Sequence, residues 1–176
     1  DLYKMGLDSV RLNEEGLSVL ESDLATIEAV TDCKSFIETV AKMHTSTGNP
    51  LFGMYVTSDL MNSSINALYI SQSGLGMGNR DYYLDEEHAS KREGYVAYLE
   101  KVFTLVGIEN AKAEAEAVMA FEKTMAERFR SNVELRNIAA SYNPMSKADF
   151  VARYNNIDWE AYRTTLGLGE FDRIIV

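Results

Sequence analysis

Residues 51–84 read LFGMYVTSDLMNSSINALYISQSGLGMGNRDYYL, and the spacing of apolar residues changes within them. From Leu51 to Ser73, Phe52, Met54, Val56 and then Leu68 and Ile70 alternate with other residues at a period near two. That is the spacing of a half-buried strand, whose side chains point to opposite faces in turn. It predicts two strands joined through Asp59 to Asn66. Beyond Ser73 the alternation stops. Gly74, Gly76 and Gly78 lie in a connection that ends in Asn79-Arg80-Asp81-Tyr82-Tyr83-Leu84. A dinucleotide cradle needs Gly-x-Gly-x-x-Gly opening a helix straight after a buried strand, and here position 79 is Asn and position 81 is Asp. These glycines therefore read as a flexible connection. Asn62-Ser63-Ser64 has the form of a glycosylation acceptor, which carries meaning only in a eukaryotic secreted chain, and it reads first as a turn.

On either side of this stretch the apolar period is helical. Leu17, Leu20, Leu24, Ile27 and Val30 fall at spacings of three and four, with Ser18 and Glu21 placed as a capping box. Phe36, Ile37, Val40, Ala41 and His44 share a face from Lys34 to His44, where Asp32 can cap the first amides and Gly48-Asn49-Pro50 ends the run. Tyr95, Tyr98, Leu99, Val102, Phe103 and Val106 stripe one long helix, and Val118, Phe121, Met125 and Phe129 a second. With Gly107 as the break, the two should pack antiparallel. An irregular segment from Asn132 to Ala140 leads to Tyr142-Asn143-Pro144-Met145; Ser146 then caps a helix bearing Phe150, Val151 and Tyr154, and Asp158 before Trp159 opens a last short one. The expectation is a mainly α fold with a small two-stranded β element. The opening Asp1 to Met5 and the strand-like Ile174-Ile175-Val176 both read as cuts inside a larger pattern.

The totals exclude several classes. With 176 residues and 46% hydrophobic content the chain can bury a real core. Seventeen basic against 27 acidic residues give a formal charge of -10, which repels phosphate backbones and argues against nucleic acid as partner. Cys33 is the one cysteine, so an internal disulfide or a multi-thiolate metal site cannot form, and it reads as a small apolar residue near a helix start. No apolar run approaches the roughly 20 residues of a membrane span.

Catalytic groups are scarce. His44 and His88 are the two histidines, they fall in different elements, and neither belongs to the His-Glu-x-x-His that sets two imidazoles one helical turn apart on zinc. His44, on an apolar face, reads as a satisfied core or boundary residue. No Gly-x-Ser-x-Gly elbow occurs. Glu109, Glu114, Glu116, Glu122 and Glu127 lack the inward Glu-x-x-His partners of a di-metal bundle and read as solvated faces. Tyr82, Tyr83, Tyr95, Tyr98, Tyr142, Tyr154 and Tyr162 read as core packing with hydroxyls reaching polar partners, ahead of a chamber lining.

DLMNSSINALYISQSGLGMGNRDYYL (59–84) resembles the strand pair, Gln-x-Gly-Leu loop and Arg-Asp-Tyr-Tyr motif of the M13 metallopeptidases. That family includes neprilysin, endothelin-converting enzyme and bacterial PepO-like oligopeptidases. The resemblance runs on through the opening DLYKMGLDSVRLNEEG, then AFEKTMAERF, ELRN, SYNPMSKADF, IDW and FDRIIV, in family order across the whole chain. The family often has Leu-Pro at Met77-Gly78 and Arg-Asp at Arg136-Asn137; the lack of paired cysteines is similar to its bacterial branch.

The resemblance implies that 1–176 is a single helical region, the N-terminal cap of a larger two-domain zinc endopeptidase. Its partner would be a C-terminal catalytic domain holding the zinc, with peptides as substrates. No catalytic or metal residue carries over, and no cofactor is expected in 1–176 itself. The residues that do match are structural in character: Gln72, Gly74, Arg80, Asp81, Tyr82, Tyr83, Arg136, Tyr142, Asn143 and Trp159. By family habit the location would be extracytoplasmic in a bacterium. The rival reading is an autonomous helical module that binds a partner protein.

Overall fold

Both strands form, with a tighter join than the alternation suggested. In the computed structural model, which describes residues 2–46 and 48–176, β1 (Phe52–Asp59) and β2 (Asn62–Gln72) pair antiparallel from Phe52 opposite Gln72 to Ser58 opposite Asn66. The turn is only Leu60-Met61 because the Asp59 carboxylate accepts from the Met61 and Asn62 N–H groups at 2.8 and 3.1 Å and closes the chain at once. Two short strands, β3 (Pro144–Ser146) and β4 (Arg173–Ile175), extend the pair to a four-stranded sheet of order β1-β2-β4-β3. Among the described residues the sheet therefore has four strands where a two-stranded element was expected. Ile174-Ile175, strand-like in sequence, pairs parallel to Leu68-Tyr69.

Eleven α-helices surround the sheet among the described residues. They are α1 (Leu2–Gly6), α2 (Ser9–Glu15), α3 (Glu21–Glu28), α4 (Cys33–Ser46), α5 (Asp81–Leu84), α6 (Ala89–Leu105), α7 (Ala111–Ala126), α8 (Asn132–Leu135), α9 (Ile138–Ser141), α10 (Lys147–Arg153) and α11 (Trp159–Leu166). Asp1, where the opening motif starts, lies outside the described residues.

The expected caps form at Asp32, Ser146 and Asp158, whose side chains accept from Ser35, Asp149 and Ala161 N–H at 2.7, 3.1 and 2.9 Å. The Ser18/Glu21 box does not. Ser18 donates back to the Glu15 carbonyl at 2.7 Å, so a 3-10 turn (Ser18–Leu20) precedes α3. The segment expected to be irregular holds α8 and α9, started by a capping box at Ser131/Glu134 and by Asn137. Cys33 opens α4 but is exposed.

There are two main cores. Ile37, Val40 and Ala41 of α4 pack with Leu68, Ile174, Phe150, Trp159 and Tyr162, joining sheet, α4, α10 and α11. Each fully buried aliphatic or aromatic side chain here is worth about 1.5–3 kcal/mol. The second core gathers Leu75, Tyr83 and Ala126, with Met77, Met119, Met125 and Phe129 against it, at the antiparallel α6–α7 pair expected on either side of Gly107. Phe121 departs from the expected stripe: it is 54% exposed, and Glu122 takes the inward position.

Candidate functional site

The glycine connection after β2 is pinned rather than flexible. Gly74 has φ +93°, and a Cβ there would stand 2.4 Å from the Leu51 backbone nitrogen, so only glycine fits. Two residues on, the Gly76 N–H donates to Glu122 Oε1 at 3.2 Å, and the Met77 N–H donates to the Tyr83 hydroxyl at 2.9 Å. Tyr83, 1% exposed, donates in turn to Glu122 Oε2 at 2.6 Å, and the Tyr95 hydroxyl donates to Oε1 at 3.1 Å. One carboxylate on α7 thus ties the loop, α5 and α6 together. Burial, reinforced by the Glu122 charge, pushes both tyrosine hydroxyls far above their ordinary pKa and keeps them as donors. Glu122 is the functional candidate the sequence reading placed on a solvated face. It is buried because it falls on the stripe Ala111, Ala115, Val118, Glu122, Met125, Phe129 that turns toward α5 and α6. Glu109, Glu114, Glu116 and Glu127 are exposed as expected.

Beside this lock a small cavity of about 210 Å³ opens between the loop and the segment after α7, lined among others by Gln72, Gly74, Arg80, Phe129, Arg130 and Asn132. The Gln72 amide pairs with both backbone groups of Arg130, donating to its carbonyl at 3.0 Å and accepting its N–H at 2.9 Å. Arg80 Nη1 donates to the Phe129 carbonyl at 2.7 Å, and its Nε, 3.8 Å from Asp81 Oδ1, is buried without a hydrogen bond among the described residues. Asp81 begins α5, its N–H donating to Asn79 Oδ1 at 3.1 Å. Tyr82 stacks edge-on against His88 at 4.8 Å, with Lys91 over its ring at 4.3 Å.

Other family-motif residues lie apart. The Tyr142 hydroxyl donates to Asp59 Oδ1 at 3.0 Å, and Arg173 ion-pairs with the other oxygen. Burial pushes the Asp59 carboxyl up, but the Met61 N–H, the Tyr142 hydroxyl and the Arg173 charge outweigh it and hold the pKa below its ordinary value. Asn143 Nδ2 donates to the Ala140 and Val176 carbonyls, both at 3.0 Å. Trp159 is core, its Nε1 donating to the Tyr154 carbonyl at 2.8 Å. Arg136 is exposed and its side chain meets no hydrogen-bond or ionic partner among the described residues. The motif thus divides between the loop lock (Gln72, Gly74, Arg80, Tyr83), the far sheet end (Tyr142, Asn143) and the core (Trp159).

Neither histidine sits in a zinc centre of the family's kind. His44 Nε2 donates to the Phe52 carbonyl at 2.8 Å, which leaves Nδ1 to accept from the Tyr162 hydroxyl at 2.6 Å, and burial lowers its pKa. Among the described residues the donor cluster is Asp85, Glu87 and His88; both carboxylates are exposed, and His88 Nε2 is 3.5 Å from Glu87 Oε1, an ordinary surface pair. The chain contains no His-Glu-x-x-His, so its own residues do not fit the family's catalytic zinc.

The sequence model of peptidase family M13, in its N-terminal part, matches residues 1–176. The chain belongs to peptidase family M13. Endothelin-converting enzyme 1 of Cavia porcellus is 30% identical over 122 residues, 67% of this chain and 16% of that protein. Neprilysin-3 of Drosophila melanogaster is 35% identical over 101 residues, 55% of this chain and 13% of that protein. Among solved structures, the Mycobacterium tuberculosis zinc metalloprotease ZMP1 in its open state superposes with TM-score 0.90 at 24% identity, covering 97% of this chain and 27% of that one. PepO from Lactobacillus rhamnosis gives TM-score 0.77 at 18% identity, over 96% of this chain and 27% of that one. At these identities the two structures establish the shared fold. The chain's matches therefore span between about an eighth and about a quarter of the length of these relatives.

Proposed function

We propose that residues 1–176 are one region, the non-catalytic cap of a zinc-dependent endopeptidase that hydrolyses oligopeptides, enclosing the peptide chamber and limiting substrate size. The observation that carries it is the exposed apolar side chains along the segment that holds α1–α3. Leu2, Met5, Leu7, Val10 and Leu12 are 50–87% exposed, and none of these three helices buries a residue. So many exposed apolar side chains within one short segment mark an interface. In this reading the C-terminal catalytic domain of the same polypeptide covers it and holds the zinc, which when bound supplies a metal-activated water and polarises the scissile carbonyl. The residues of this chain act by shape. The Glu122 lock, the Gln72–Arg130 pairing and the Asp59–Arg173 pair hold a rigid shell, and a rigid shell excludes what cannot enter. The motif residues Gln72, Gly74, Arg80, Asp81, Tyr82, Tyr83, Arg136, Tyr142, Asn143 and Trp159 belong to that shell, and location outside the cytoplasm follows family habit.

The test compares cleavage of a short peptide with cleavage of a folded protein by the full polypeptide supplied with zinc, beside residues 1–176 alone. The reading predicts cleavage of the short peptide only, and none by 1–176. Equal cleavage of both substrates, or activity in 1–176 alone, overturns it. If 1–176 forms a monodisperse complex with another protein and no catalytic partner exists, the autonomous binding module takes its place.

A further inference from the structure

The β1 strand has an open outer edge, and its parity follows from two hydrogen bonds at its start. The Phe52 N–H donates to the Pro50 carbonyl at 2.9 Å and the Phe52 carbonyl accepts from His44 Nε2 at 2.8 Å, so both backbone groups of Phe52 point away from β2. In an antiparallel ladder both groups of alternate residues point the same way. With Phe52 outward, Met54, Val56 and Ser58 are outward too, while Gly53, Tyr55 and Thr57 bond to Ser71, Tyr69 and Ala67. The same parity sends Leu68, opposite Val56, outward on β2, where it meets β4. Among the described residues the N–H and C=O groups of Met54, Val56 and Ser58 have no partner.

Exposed edges are ordinarily guarded by Lys, by Pro or by shortness. β3, at the other edge of the sheet, is guarded: it is three residues long, starts at Pro144 and runs straight into Lys147. β1 is eight residues, FGMYVTSD, with no Lys, Arg or Pro, and its one charge, Asp59, is buried beyond the register shift between Ser58 and Asp59. Tyr55 and Val56 in its middle are 50% and 57% exposed. Tyr55 also stacks flat on Tyr69 at 5.4 Å and 3°, so an aromatic row runs across the sheet toward this edge.

We propose that the outer edge of β1 from Met54 to Ser58 is a binding site for an extended peptide segment, which adds as a fifth strand. Three N–H and three C=O groups at two-residue spacing match the backbone of a strand about five residues long. His44 and Pro50 close the site at one end and the register shift closes it at the other, which sets that length. An aromatic or β-branched residue opposite Tyr55 extends the stacked row. The site needs no metal and does not depend on the capping role proposed above.

The experiment is residue-resolved hydrogen exchange on the full chain, with and without the blocked peptide acetyl-Thr-Val-Thr-Val-Thr-amide. A control peptide carries an N-methyl group on every residue and so has no residue N–H to donate along either edge. Exchange at Met54, Val56 and Ser58 should be fast in the free chain and slow about tenfold when the peptide stands at about ten times its dissociation constant. Gly53, Tyr55 and Thr57, already bonded to β2, should change little, and the methylated control should protect none of the six. Three results overturn the proposal. The three outward amides could exchange slowly without peptide, because another part of the chain or a second copy covers them. They could stay fast up to the solubility limit of the probe. The control could protect them as well as the parent peptide does.

Discussion

Replacing Glu122 by alanine removes the acceptor that the Gly76 N–H, the Tyr83 hydroxyl and the Tyr95 hydroxyl share. Tyr83 is 1% exposed, so its hydroxyl cannot turn to water, whereas Tyr95 is half-buried and can. A buried donor left without an acceptor costs about 1–3 kcal/mol, and a bond to a charged acceptor carries about 1.5–3 kcal/mol. One stranded hydroxyl and one loosened loop N–H therefore put Glu122→Ala at about 2–4 kcal/mol. At about 3 °C per kcal/mol for a domain of this size, melting should fall by about 6–12 °C. Glu122→Gln keeps Oε1 for Gly76 and Tyr95 but sets an NH2 against the Tyr83 hydroxyl, so it should cost about half as much. Urea unfolding is the assay, with a lower midpoint and an unchanged slope. Adding Tyr83→Phe to Glu122→Ala should cost less than the sum of the single changes, by about 0.5–3 kcal/mol. The lock reading is refuted if Glu122→Ala lies within about 0.5 kcal/mol of the parent, or if the two changes simply add.

Gly74→Ala forces a Cβ to 2.4 Å from the Leu51 nitrogen at φ +93°, against backbone that cannot give way, and should destabilise by about 2 kcal/mol or more in the same urea assay. The lowered pKa of His44 sets a pH dependence: the folded state binds its proton less readily than the unfolded chain, so the stability it contributes is present above the ordinary imidazole value of 6.5 and is lost as pH falls through the folded value. Urea midpoints at several pH values should show this, and Tyr162→Phe, which takes the hydroxyl from Nδ1, should change the slope of the dependence on the acid side of 6.5. Asp59→Asn should leave the β1–β2 turn frayed, with faster hydrogen exchange at Met61 and Asn62, because the acceptor of both N–H groups loses its pairing with Arg173.

Where one physical signal dominated, the sequence was readable. Alternation from Phe52 to Ile70 gave the hairpin, and oxygen-bearing residues one position ahead of apolar runs gave the starts of α4, α10 and α11. β3 escaped, being three residues long and too short to show a period. β4 was legible as the strand-like Ile174-Ile175, but not its place in the sheet, because the edge of β2 that it joins, and its own edge that β3 joins, lie far along the chain. The Glu122 lock escaped for another reason. Charge suggested solvent, yet its position, four residues after Val118 and three before Met125, already placed it on the inward stripe, and that spacing was the signal available. The glycine connection looked flexible because pinning by Leu51, Tyr83 and Glu122 is long-range contact that no local pattern carries.

The capping claim meets its most direct test in the gene, read in frame past the codon for Val176. The account predicts a His-Glu-x-x-His several hundred residues downstream, followed by a glutamate as third ligand, which supplies the zinc site that His44 and His88 do not form. A stop codon directly after Val176 would contradict it and leave a stand-alone helical binding module as the better reading.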